Sequence, residues 1–515
     1  SLVQSHLNLV NVLQMGAYAT WSDWQRTVLH DLGTFMPFFA VLVGAAFLVA
    51  FPVALRLARR WPAGSASLFA LAGGAGLAAA FLIADVVAPI PTLISGTRNV
   101  IGYSAMVATG MLGGLIFQHL LGHPELRSGK SFTIAHFVFP VAVLVAAFAV
   151  HLVMRPERAD EFEDVPSDRY RIASLVGGLE HPWAMAPLPD GRILVTERPG
   201  ALRIVDTSGA LVREPIEGLP EILQGTQGGL MDLELSPEFE QDRMLYITYA
   251  CGTASENNTC VGRGRLTDHR LEDFECLFRA EPLKNTTVQF GSRLIFLPDG
   301  TMLVSIGDGF DFREDAQDLG NHIGSIVRLN PDGSVPPDNP FVDDEEARPE
   351  IYSYGHRNPQ GLHYDEVSGR LYESEHGPYG GDEVNRIEPG ENYGWPLATE
   401  GINYPGTNIS PHDALDEARA PLTHWTPSIA PSGITVYRGD AFPEFDGDLL
   451  VSALAGKAVF RLELENGEVV GRQRLFHELG KRILDVVVGA DGELYLLTDH
   501  APGELLRVDP SDSPR

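Results

Sequence analysis

The chain changes its hydrophobic pattern once. Between residues 34 and 154, apolar side chains run almost without polar interruption in four stretches, at 34–55, 67–90, 100–121 and 133–154. Each approaches or exceeds the ~20 residues that an α-helix needs to cross the hydrocarbon core of a bilayer. Polar faces at a 3.6-residue period, the mark of a soluble bundle, are all but missing from the first, second and fourth. The pattern predicts an all-α transmembrane bundle of four helices over 34–154, behind an N-terminal segment 1–33. Gly73, Gly74, Gly76, Gly110, Gly113 and Gly114 suit close helix approach in lipid.

A polar, acidic linker at 155–170 follows, and the pattern then switches to short apolar strands separated by turns. One phrase, a turn between two hydrophobic strands, recurs at Asp190-Gly191, Ser236 to Phe239, Asp299-Gly300, Ser368-Gly369, Asp446-Gly447 and Asp491-Gly492. Copies roughly 45–75 residues apart predict an all-β six-bladed β-propeller over 171–515, with four-stranded blades and variable loops. Strands such as 201–205, 325–329 and 504–508 close several blades. A sandwich would also alternate strands and turns, but it would not need six similar phrases.

Charge sharpens the boundary. The net charge of −30 excludes a nucleic-acid binder that works through a basic surface. Residues 1–158 carry nine Lys and Arg against five Asp and Glu, which leaves 29 against 63 for the rest. Arg56, Arg59 and Arg60 follow the first stretch, and Arg127 and Lys130 lie between the third and fourth. The positive-inside rule puts these loops in the cytoplasm. The N-terminal segment and the propeller then lie outside, in the periplasm, and the protein is a multi-pass component of a bacterial inner membrane. His119, His136, His151 and Asp85 lie at or near membrane depth, where haem ligation or a quinone site competes with a plain anchoring role.

Three cysteines exclude a disulfide framework, and no Cys/His spacing suits structural zinc. In an oxidising compartment Cys251 bridges Cys260, or Cys260 bridges Cys276. Candidate chemistry gathers in two propeller segments, 354–362 and 374–385, the second followed by 390–396. Gly-Pro and Gly-Gly turns there present backbone carbonyls beside Asp382, Glu383 and Asn385, an oxygen set that a hard cation such as Ca²⁺ takes.

These segments carry a resemblance. His181-Pro182-Trp183-Ala184, Phe290-Gly291-Ser292-Arg293, Gly355 to Gly361, Glu375-His376-Gly377-Pro378, Asp382 to Asn385 and Asn392 to Pro396 occur in order along about 170–510. The propeller half resembles the glucose/sorbosone dehydrogenase family, PQQ-dependent sugar dehydrogenases on a six-bladed propeller. The resemblance implies that Arg357 and Asn358 stand beside the quinone, with Arg357 steadying charge that develops on it. It implies that the carbonyls of Gly377 and Pro378 hold the Ca²⁺ that polarises PQQ. Glu383 and Tyr393 then belong to a second, structural Ca²⁺ site. His376 and Ser428 are expected at the cofactor.

The chain departs from the family at other positions. Gln289 stands where the family has its catalytic His, and Gln cannot take a proton from a sugar hydroxyl near neutral pH. The PQQ-binding Lys aligns with Ala455, two residues from Lys457. The family's Arg-x-Arg clamp reads Arg482-Ile483-Leu484, with the first Arg alone kept. Each lost charged partner weakens binding of an anionic cofactor by about 1.5–3 kcal/mol. His322, His363 and His376 are the candidates for a relocated base. Two functions follow. The first is a membrane-anchored periplasmic PQQ-dependent aldose dehydrogenase that passes electrons to a membrane quinone or cytochrome. The second is a catalytically degenerate propeller, docked as a subunit of a larger membrane complex. The expected partners are a sugar, membrane lipid, and a basic cytochrome or complex subunit.

Overall fold

The computed structural model of the chain describes residues 2–87, 92, 94–122 and 162–511. It divides into two compact units, one formed by Ser1–Arg158 with Ile402–His412, the other by Ala159–Gly401 with Asp413–Arg515.

The first unit is helical: α1 (Leu2–Gln14), α2 (Trp21–Arg60), α3 (Ser65–Val87) and α4 (Val100–Gly122). Among the described residues, the last three are long and apolar enough to cross a membrane. The expected bundle of four therefore has three described members; the stretch 133–154, with His136 and His151, lies outside the described residues. His119 is exposed in the last turn of α4, and Asp85 is half-buried near the end of α3.

The expected first span, 34–55, is the central part of a 40-residue helix. Its N-terminus is set by a capping box in which Thr20 and Asp23 satisfy each other's backbone N–H groups, and Arg59 and Arg60 complement the dipole at its other end. Helices α3 and α4 meet at glycines, as their small residues suggest. A Cβ at Gly73 would stand 2.1 Å from the Gly110 carbonyl oxygen, and one at Gly114 would stand 2.0 Å from that of Phe69.

The N-terminal segment is mostly helical over residues 2–33. Helix α1 turns its polar stripe inward: Gln4, Ser5 and Asn8 are buried while Leu2 and Leu13 are exposed. Ser5 Oγ donates to Asp31 Oδ2 at 2.6 Å, and Asp31 Oδ1 accepts from the backbone N of Asn408 at 2.9 Å. Asn8 Nδ2 donates to the Asn408 carbonyl at 2.7 Å, so the 402–412 segment is bound through polar groups that the helices leave facing it. Buried polar atoms require such partners.

The second unit is a propeller of six sheets. Blade 1 has three strands, Pro182–Pro187, Ile193–Glu197 and Ala201–Val205; blade 2 runs from Leu230–Leu235 to Leu271–Arg279. Blade 3 comprises Gly291–Phe296, Met302–Ile306, Ser325–Leu329 and Ile351–Tyr354. Blade 4 comprises Pro359–Asp365, Arg370–Glu375, Asp382–Ile387 and Thr423–Trp425. Blade 5 starts with Pro431–Val436 and Leu449–Ala453, and carries Glu163–Asp164 as an added parallel strand on its outer edge. Blade 6 is closed by the strand that opens the propeller: Tyr170–Leu179 pairs with Gly503–Pro510, which follows Ile483–Val488 and Leu494–Thr498. A ring closed this way leaves no unpaired seam.

All six recurring phrases are the turns between the first and second strands of a blade. The first strands line the central channel. Arg293 of blade 3 reaches Asp232 of blade 2 at 3.2 Å and Asp485 of blade 6 at 3.5 Å, tying three blades together around it. A disulfide joins Cys251 to Cys260 across a hairpin of blade 2, and Cys276 is exposed and unbridged.

Candidate functional site

Strands in each blade alternate direction, so the loop leading into a first strand and the turn between the second and third strands open on one face of the ring. That geometry gathers the expected residues. Gln289, Arg357, Asn358, Ser428 and Arg482 precede the first strands of blades 3, 4, 5 and 6. His376, Gly377 and Pro378 lie between the second and third strands of blade 4, and Lys457 holds the matching turn of blade 5.

The core of the group is one hydrogen-bonded network. Asn358 Oδ1 accepts from the Gly291 N–H at 3.1 Å, and its Nδ2 lies 3.5 Å from His376 Nδ1. Arg357 Nη1 donates to the carbonyls of His376 and Gly377, each at 2.8 Å, and its guanidinium carbon lies 5.4 Å from the centroid of the Trp395 ring. The Trp395 indole N–H is fixed in turn by Asp308 Oδ2 at 2.9 Å.

Asp382 staples the two loops on which His376 and Ser428 sit. Its carboxylate accepts from the Gly377 N–H at 2.8 Å, the Ile429 N–H at 2.6 Å, the Ala430 N–H at 2.7 Å and the Ser428 hydroxyl at 2.7 Å. Burial pushes its pKa up to about 6 against these donors. Sequence reasoning grouped Asp382 with cation-binding oxygens; its acceptor capacity is already taken by backbone. Ser428 likewise turns its hydroxyl to Asp382.

Gln289 is buried in the left-handed region at φ +50°, a conformation that few non-glycine residues adopt. Its backbone N–H donates to Gln227 Oε1 at 2.8 Å, and its carbonyl accepts from Lys284 Nζ at 3.1 Å. The side-chain Oε1 has no hydrogen-bond partner, and neither has His376 Nε2. Lys284 was not legible as part of the site. It is fully buried, stands over the Phe290 ring at 4.5 Å, and burial lowers its pKa to about 7.

Among the three histidines considered as a relocated base, His376 alone reaches this network. His322 accepts from the Glu281 N–H and faces Glu350 at 3.3 Å, in a packing role. His363 sits on the first strand of blade 4, where burial lowers its pKa to about 4. His376 is itself held neutral, with burial and then Arg357 lowering its pKa to about 3. With the Asn358 amide beside Nδ1, its proton belongs on Nε2, which makes it a donor rather than a base.

The more distant expected residues are looser. Arg482 makes two bonds to Asp499 Oδ2, at 3.0 and 2.7 Å, and Leu484 is buried in the core, so the second clamp position serves packing. Lys457 is exposed at a left-handed turn position. Tyr393 donates its hydroxyl to the Arg386 carbonyl at 2.8 Å, and Glu383 shares the Asn385 amide with two other carboxylates.

Residues 179–507 match the Glucose / Sorbosone dehydrogenase family. The chain belongs to this family. The aldose sugar dehydrogenase YliI of Escherichia coli (strain K12) is 41% identical over 338 residues, covering 64% of this chain and 91% of its own. A crystal structure of a glucose dehydrogenase matches the fold with a TM-score of 0.64 at 43% identity, covering 65% of this chain and 99% of that one. The PQQ-bound form of an aldose sugar dehydrogenase from Streptomyces coelicolor matches with a TM-score of 0.56 at 27% identity, over 67% and 100%. The helical half precedes the matched residues.

The donor set of this family member fits an anionic quinone in part. Arg357, His376 and Gln289, whose Oε1 has no hydrogen-bond partner, sit on loops that open on one face of the ring. Ca²⁺ at Gly377 would share that carbonyl with the Arg357 guanidinium, using its second lone pair.

Proposed function

We propose that this protein is a membrane-anchored quinoprotein that oxidises aldose sugars with PQQ and Ca²⁺. The propeller faces the periplasm of a bacterial inner membrane, and electrons pass to a membrane quinone or a basic cytochrome. The observation that carries this reading is the placement of Arg357. Its guanidinium is fixed by two backbone carbonyls and Trp395 at the loop where the family holds its cofactor.

When bound, PQQ supplies the two-electron acceptor for the sugar. Arg357 and Asn358 would hold and orient it, with His376 donating through Nε2 and with Lys457 and Arg482 at the rim supplying positive charge. Gly377 and Pro378 would hold Ca²⁺. Arg357 is already oriented before binding, so its stabilisation of negative charge needs no reorganisation. Gln289 presents a carbonyl oxygen that accepts a hydrogen bond from a sugar hydroxyl and positions it without removing its proton. The aldose relatives and the aligned loops support the substrate class; the acidic propeller and the Arg-flanked helices support the topology.

The test is turnover. The full chain in detergent, loaded with PQQ and Ca²⁺, is expected to reduce an artificial dye slowly with glucose and other aldoses and not without them. Complete absence of sugar-dependent reduction, together with stoichiometric co-purification of partner subunits, would favour the docking-subunit reading instead.

A further inference from the structure

Between the third and fourth strands of blade 4 the chain makes an excursion, Ile402–His412, that belongs with the helical unit, while the chain on either side of it belongs to the propeller. The excursion is closed on itself. Ile402 and Asn408 form an antiparallel bridge, and the Asn403 amide donates to Thr407 Oγ1 at 2.9 Å across the turn. A displacement of its tip therefore moves its stem.

The helices hold this excursion through buried polar groups. Asp31, fully buried on α2, accepts from the Asn408 N–H at 2.9 Å and from Ser5 Oγ at 2.6 Å. Asn8 of α1 donates to the Asn408 carbonyl at 2.7 Å, so both backbone groups of Asn408 are taken by helix side chains. Thr34 Oγ1 bonds the Gly406 carbonyl, and His412 Nε2 lies 2.7 Å from the Tyr18 carbonyl. Gly406 lies at φ +96°, and a Cβ there would stand 3.1 Å from Thr34 Cβ, so the backbone itself is seated on the helix. Anchoring in lipid needs apolar spans and none of this; a buried carboxyl group is costly unless its bonds matter.

The stem of the excursion is where the candidate site begins. Gly401 lies against the turn 377–381. A Cβ at 401 would stand 2.6 Å from the Gly380 carbonyl oxygen and 2.7 Å from Pro378 Cδ, and one at Gly381 would stand 2.5 Å from the Gly401 nitrogen. A few residues earlier the same loop carries Trp395, whose ring faces Arg357. On the return side the Arg419 N–H donates to the Asn392 carbonyl at 2.8 Å, so the chain rejoins that loop. No side chain cushions Gly401 against the turn, and close-packed backbone passes a shift on rather than absorbing it.

We propose that Asp31 is a positioning residue for the cofactor site: by docking the excursion 402–412 on the helices, it holds Gly401 against the turn that presents the carbonyls of Gly377 and Pro378. The helical unit then orders the site as well as anchoring the chain. The consequence for the cofactor rests on the quinoprotein reading above; the docking and its effect on the turn do not.

The test is amide hydrogen exchange of the full chain in detergent, without PQQ or Ca²⁺, followed at 377–381 and 402–412 with blade 2 as the internal reference. Asp31→Ala and Gly406→Val break the same docking from its two sides. Each is expected to speed exchange at 402–412 and at the Gly377 and Gly381 amides by at least about tenfold, with blade 2 unchanged. Asp31→Asn keeps an oxygen acceptor for the Asn408 N–H and is expected to exchange like the parent. With PQQ present, the two disruptive variants are expected to bind it at least about threefold more weakly, and excess Ca²⁺ to restore the affinity by fastening the loosened turn. Faster exchange at 402–412 with 377–381 unchanged would overturn the proposal. So would parent-like exchange throughout, or exchange speeded equally in blade 2, which reports unfolding rather than lost positioning. A parent chain that binds no PQQ would sink the quinoprotein reading alone, and the exchange result would still decide this one.

Discussion

Gln289→His raises kcat for aldose oxidation by about 10²–10⁴-fold in the PQQ- and Ca²⁺-loaded chain, the span that a positioned general base contributes. The parent places a carboxamide where the family uses an imidazole, so it can orient the sugar hydroxyl but cannot accept its proton. The backbone at 289 is already in the left-handed region, at φ +50°, a conformation in which His is among the better-tolerated side chains. Its N–H and carbonyl are held by Gln227 and Lys284, so the new ring inherits a fixed attachment point. The variant should also acquire an acid limb. Its turnover falls as pH drops through about 6.5, where an ordinary imidazole takes up a proton, and the parent shows no such limb from this position. Steady-state kinetics of both proteins across pH check this. An unchanged kcat would mean that position 289 does not face the reacting hydroxyl.

Asp382→Ala destabilises the propeller by about 3–6 kcal/mol, the cost of leaving several buried donors without an acceptor. Three backbone N–H groups, of Gly377, Ile429 and Ala430, lose the same carboxylate, and the loops carrying His376 and Ser428 lose their common staple. Ser428→Ala removes a hydroxyl but leaves those backbone donors paired, and should cost about 1 kcal/mol. Thermal melting of the full chain in detergent distinguishes the two substitutions. Equal melting temperatures for them would refute the staple.

The ring was legible because its signal repeats. Each turn phrase marks one first hairpin, and alternation around it fixes which side chains face the channel. The helices were legible where hydropathy alone decides. The first third of α2 was not, because its start depends on Thr20 and Asp23 in a stretch of mixed polarity. The association of 402–412 with α1 and α2 is set by hydrogen bonds nearly 400 positions apart in the chain, and no local pattern announces it.

At the site, motif spacing singled out Arg357, Asn358 and His376, which the fold brings into one hydrogen-bonded network. Spacing does not tell whether a carboxylate is free for a cation or already bonded, as Asp382 is to three backbone N–H groups. Lys284 carries no motif, and its importance comes from burial beside Gln289.

The central claim is that the cleft of Arg357, Asn358 and His376 is a working quinone site despite the substituted clamp and base positions. Equilibrium titration of PQQ into the chelator-treated full chain, with and without Ca²⁺, measures this directly. The account predicts saturable binding of one PQQ per chain that strengthens with Ca²⁺ and weakens at least about tenfold, or about 1.4 kcal/mol, in Arg357→Ala. Binding that is absent, or indifferent to both Ca²⁺ and Arg357, would contradict it.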